Sequence, residues 1–79
     1  MFTIYGKPDC SQCNEAKMLL YFNETEFEYL QVGIDITKQE LISIMEVFGV
    51  LPRSVPQITR DGKYIGGLKE LKILLDTTP

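Results

Sequence analysis

Both cysteines of this 79-residue chain fall at one point, Cys10 and Cys13, where the β-type run Phe2-Thr3-Ile4-Tyr5 gives way to helically spaced apolar residues. That placement constrains the fold more than any other feature. With no further cysteine and no histidine, the chain has neither a wider disulfide framework nor four ligands for a zinc site of its own. A disulfide across so short a loop adds little chain-entropy stabilisation. The fold must therefore rest on one apolar core, and a domain of this size buries only roughly 60% of the surface its unfolded chain exposes. A single domain over residues 1–79 is the expectation.

Periodicity sets the order of elements. Phe2 to Tyr5 predict a first strand ending at Gly6, and Lys7-Pro8-Asp9 a loop. Ala16, Leu19 and Leu20 then recur at helical spacing, which predicts a helix from about Ser11 to Phe22, closed by Asn23-Glu24-Thr25. Phe27, Tyr29 and Val32 alternate with polar residues up to Gly33, giving a second strand. Strand, helix, strand implies a parallel, right-handed crossover. Thr37 with Glu40 three residues on is a capping-box pattern, and Leu41, Ile44, Met45 and Phe48 mark one apolar helix face before Gly49. That stripe is core packing. Asp61-Gly62 between Gln57-Ile58-Thr59 and Lys63-Tyr64-Ile65 is a hairpin signal. After Gly66-Gly67, Leu68, Leu71, Leu74 and Leu75 form a last amphipathic helix. The expected fold is βαβαββα, an α/β domain of two or three layers with a four-stranded mixed sheet and three helices.

Cys10-Ser11-Gln12-Cys13 has the spacing of a redox-active dithiol. Cys10 falls at the predicted helix N-terminus, where unpaired N–H groups and the positive end of the dipole favour a thiolate. Such settings lower a cysteine pKa from about 8.5 to roughly 3.5–7.5, and the thiolate is the nucleophile. Cys13, one turn in, is expected to be the more buried and to attack a mixed disulfide formed at Cys10. A metal site shared between two chains, inert thiols, or a non-catalytic binding module are the alternatives that the residues leave open.

The net charge of −3 and pI of about 4.8 disfavour nucleic acid, which demands clustered Lys and Arg. No run approaches the roughly 18 apolar residues of a membrane helix, and the N-terminal residues lack a signal-peptide pattern. A cytoplasmic, monomeric protein in a reducing compartment is expected. Without histidine, catalysis has to use thiols, carboxylates, lysines and backbone dipoles.

Three segments in order carry a resemblance over nearly the whole chain. Tyr5-Gly6-Lys7-Pro8-Asp9-Cys10-Ser11-Gln12-Cys13, Ser54-Val55-Pro56 and Gly66-Gly67 resemble the active-site loop, the Thr-Val-Pro segment and the double glycine of the glutaredoxin branch of the thioredoxin superfamily. The resemblance implies a thiol–disulfide oxidoreductase of thioredoxin-like fold with no bound cofactor and with glutathione as reductant. It also implies a cis peptide before Pro56, packed against the dithiol, with the Val55 backbone free to pair with substrate. Lys7 is expected beside the Cys10 thiolate and a substrate carboxylate, with Asp9 turned to solvent. Gln12, Gly67 and Leu68 complete the expected substrate or glutathione contacts, with the backbone N–H groups of the double glycine offered to a carboxylate.

The chain departs from the pattern at named positions. Gln12 replaces the common aromatic residue, and Cys-x-Gln-Cys is similar to the NrdH-redoxins, electron donors to ribonucleotide reductase that are recharged by thioredoxin reductase. The short chain and its glycine-led last helix are also similar to small phage redoxins. Leu68-Lys69-Glu70 puts an ammonium where the family holds the glutathione amine with a carboxylate, leaving Glu70 as the available substitute. Expected partners are glutathione or thioredoxin reductase, and disulfide-bearing proteins such as ribonucleotide reductase.

Overall fold

In the computed structural model, which describes residues 1–76, the strand and helix patterns resolve into β1 Phe2–Gly6, α1 Ser11–Phe22, β2 Phe27–Gln31, α2 Lys38–Glu46, β3 Gln57–Arg60, β4 Lys63–Gly66 and α3 Leu68–Asp76. The sheet order is β2-β1-β3-β4. β1 runs parallel to β2, as the helical crossover requires, and antiparallel to β3, which pairs antiparallel with β4. Asp61 and Gly62, both at positive φ (50° and 78°), make the β3–β4 turn. This is the expected four-stranded mixed sheet with three helices.

Alternation along β1 separates two cores. Phe2 and Ile4 face one way and join Ala16 and Leu20 of α1, Ile58 of β3 and Leu71 of α3. Tyr5 faces the other way, against Leu41 and Met45 of α2. Two helices thus cover one face and the third covers the other, a three-layer arrangement. Thr37 caps α2 reciprocally with Glu40: the Glu40 N–H donates to Thr37 Oγ1 (3.0 Å) and the Thr37 N–H to Glu40 Oε1 (2.9 Å).

Two boundaries differ from expectation. Helical hydrogen bonding ends at Glu46, before Phe48; the chain turns through Gly49 at φ 71°, and the Val50 N–H donates back to the Met45 carbonyl. Phe48 still packs in the second core, so the apolar stripe outlasts the helix. Val32 lies past the end of β2 and forms an isolated bridge to Ile36.

Candidate functional site

The end of β1 and the start of α1 deliver the dithiol. Gly6 is the last residue of β1, and a Cβ there would lie 2.2 Å from the Tyr29 hydroxyl oxygen, so a larger residue would push the Tyr29 ring from its place over this position. The same hydroxyl donates to the Lys7 carbonyl at 3.4 Å, tying the start of the loop to β2. The loop turns at Asp9, exposed and at φ 53°, and Cys10 follows in extended geometry as the N-cap of α1. Its sulfur, not an oxygen, does the capping: the Cys13 N–H donates to Cys10 Sγ at 3.2 Å.

Cys10 and Cys13 are joined as a disulfide, with Cα atoms 5.2 Å apart. Cys10 keeps 8% of its surface exposed and Cys13 none. When the bond opens, a charge on Cys10 Sγ faces the Cys13 N–H and the positive end of α1. Both favour the thiolate and need no histidine. The Val55 carbonyl oxygen lies 4.0 Å from Cys10 Sγ.

Val55 and the buried Pro56 are joined by a cis peptide bond, the geometry expected from the motif. Val55, Ser54 and Lys7 line one groove of about 360 Å³ together with Lys38 and Arg53. Lys7 and Val55 thus share one groove. Lys38 and Arg53 were not among the sequence candidates, although Lys38 directly follows the Thr37 cap and Arg53 stands two residues before Val55. With Lys7 they give the groove three cations and no carboxylate in its wall, on a chain of net charge −3.

The double glycine is differently engaged from the expectation. The Gly67 N–H donates to the Glu70 carboxylate at 2.7 Å, so the amide meant for a substrate carboxylate is held by the chain's own. Gly66, at φ 130°, permits this, since a Cβ there would meet Glu70 Cγ at 2.6 Å. Glu70 is thereby folded onto the start of α3. Leu68 packs its side chain against the first core, and Gln12 is exposed on the first turn of α1. Neither lines the groove.

A larger concavity, about 720 Å³, lies by Tyr21, Phe22 and Phe27, at the end of α1 opposite Cys10. Among the described residues no group of three His, Cys, Asp or Glu side chains is placed to hold a metal ion. No described helix is long and apolar enough to cross a membrane.

The glutaredoxin family model matches residues 2–65. Glutaredoxin 1 of Salmonella typhimurium is 37% identical over 79 residues, covering 91% of this chain and 87% of that protein. Hybrid peroxiredoxin hyPrx5 of Haemophilus influenzae is 37% identical over 70 residues; the match takes in 89% of this chain but spans only 27% of the relative's length. Among solved structures, glutaredoxin 1 from Francisella tularensis complexed with cacodylate superposes with a TM-score of 0.79 at 28% identity, over 95% of this chain and 91% of that one.

Proposed function

The chain belongs to the glutaredoxin family and is a thiol–disulfide oxidoreductase, and from that premise we propose that Cys10 attacks disulfides of proteins or glutathione adducts and Cys13 resolves the product. The Cys10 thiolate displaces one sulfur of the substrate disulfide, which leaves with the electron pair and takes up a proton. The Cys13 thiolate then attacks Cys10 Sγ, expels the second substrate thiol and leaves the Cys10–Cys13 disulfide. Two electrons pass to the substrate. Two glutathione thiols return them, ending as oxidised glutathione.

The observation that supports this order most is the asymmetry of the pair: Cys10 keeps some surface exposed while Cys13 has none, and Cys10 Sγ is the one that receives the Cys13 N–H. Glutathione suits the groove, where Lys7, Lys38 and Arg53 surround a space beside Val55 and can pair with a carboxylate. Gln12, Gly67 and Leu68, which lie outside the groove's wall, are proposed as further glutathione contacts, Gly67 once Glu70 gives up its amide. Ribonucleotide reductase is a proposed protein substrate. So is a peroxiredoxin-type protein, given the hybrid peroxiredoxin among the relatives. Action as a single-domain monomer in the cytoplasm fits two closely spaced cysteines.

A second donor has a specific observation behind it. Lys69 stands exposed beside Glu70, and its ammonium disfavours the amine of glutathione, as in a redoxin recharged by thioredoxin reductase. One paired assay separates the two: reduction of the oxidised protein by glutathione, against reduction by NADPH with thioredoxin reductase. Faster reduction by glutathione is expected. Fast reduction by the reductase with almost none by glutathione would replace glutathione with the reductase as donor.

A further inference from the structure

Gln57, only 7% exposed, has no part in the dithiol exchange. A polar side chain this enclosed has to be satisfied at both ends. Its Nε2 donates to the Ser54 carbonyl at 2.8 Å, and its Oε1 accepts from the Tyr64 hydroxyl at 2.6 Å. The Ser54 carbonyl belongs to the peptide group that joins Ser54 to Val55. The amide therefore grips the peptide plane immediately before the residue whose carbonyl faces Cys10 Sγ.

The anchors of this grip are rigid. Gln57 is the first residue of β3 and pairs with Tyr5 of β1 in the middle of the sheet. Tyr64, on β4, packs its ring on Phe48 with centroids 5.9 Å apart. Burial, and secondarily the charge of Glu70, raises the Tyr64 pKa, which keeps the phenol a donor. The gripped segment, by contrast, belongs to no strand or helix. Without the grip, nothing else among the described hydrogen bonds ties the Ser54 carbonyl to the sheet.

We infer that Gln57 and Tyr64 are positioning residues: a two-bond brace that fixes the Ser54–Val55 peptide plane for pairing with a substrate backbone, and so favours disulfides carried on peptide groups. This rests on the proposed role of Val55 in substrate contact. Tyr64 acts only through Gln57, by fixing which end of the amide faces Ser54.

The test is single-turnover oxidation of the reduced protein, by oxidised glutathione and separately by bis(2-hydroxyethyl) disulfide, which has no peptide group. Gln57→Met keeps the bulk and loses both bonds; Tyr64→Phe keeps the ring against Phe48 and loses the hydroxyl. Thermal melts confirm that each variant is folded. Gln57→Met is expected to slow the glutathione disulfide about three- to tenfold, the range one neutral hydrogen bond carries, and to leave the hydroxyethyl disulfide within about twofold. Tyr64→Phe is expected to shift the same ratio less, and the double variant to match Gln57→Met alone. Equal losses on both disulfides, no loss on either, or additive effects in the double variant would overturn the brace. If Gln57→Met does not fold, the ratio in Tyr64→Phe decides alone, an unchanged ratio being the overturning result. A wild-type protein that reacts with neither disulfide would overturn the dithiol function itself, and the brace with it.

Discussion

Replacing Glu70 with alanine separates two roles that the structure combines in one side chain. The Glu70 carboxylate accepts from the Gly67 N–H at 2.7 Å, at the first turn of α3, where a negative charge and a filled amide both stabilise the helix. The contact is exposed, so about 0.5–1 kcal/mol is a fair magnitude for it. For a domain of this size each 1 kcal/mol moves Tm by roughly 4–8 °C, so Glu70→Ala should melt about 2–8 °C lower. The same change frees the Gly67 amide. A glutathione carboxylate that must displace Glu70 in the natural chain would no longer meet a competitor, and the glutathione KM should fall by about two- to fivefold, the equivalent of 0.5–1 kcal/mol. Calorimetry and steady-state reduction of the oxidised protein at several glutathione concentrations give both numbers. A variant that is less stable and yet binds glutathione better is the expected outcome. A KM that rises instead would show that Glu70 contacts glutathione favourably and does not compete with its carboxylate.

Lys69→Asp is expected to improve glutathione use and leave coupling to thioredoxin reductase less affected; an unchanged glutathione KM would mean that Lys69 does not meet the amine. Ile58→Ala, at a fully buried position of the first core, should cost about 2–5 kcal/mol in urea unfolding and Ile58→Val about 0.5–1.5, a ranking that a surface position would not give. Burial, opposed by the Thr59 hydrogen bond and assisted by Glu28, raises the Tyr5 pKa above its ordinary value. The folded protein thus holds this proton to higher pH than the unfolded chain. Its contribution is complete below about pH 10 and is lost as pH rises through the folded value. Urea midpoints from pH 8 to 11 should therefore fall less steeply in Tyr5→Phe than in the natural chain, and parallel slopes would contradict the assignment.

Where local chemistry decides the outcome, the sequence was sufficient. Thr37 with Glu40 predicted the start of α2 and Asp61-Gly62 the β3–β4 turn, because each acts within a few residues of chain. Phe48 shows the limit of periodicity: its apolar spacing reports that it is buried, but the helix has already ended and the residue reaches the core from a turn. Gln57 was invisible for a different reason. In a strand pattern it counts as a polar residue facing outward, and only the fold brings Tyr64 and the Ser54 carbonyl to its two ends. Glu70 could have been found. An acid three residues after Gly67 is the spacing of a helix-capping carboxylate, the same relation that was recognised between Thr37 and Glu40.

If Cys10 attacks and Cys13 resolves, the mixed disulfide on Cys10 can be trapped. Reduced Cys13→Ser, exposed to oxidised glutathione and mapped by peptide mass spectrometry, is expected to accumulate one glutathione on Cys10, while Cys10→Ser under the same conditions stays almost unmodified. An adduct forming on Cys13 in Cys10→Ser as fast as on Cys10 in Cys13→Ser would contradict the assigned order.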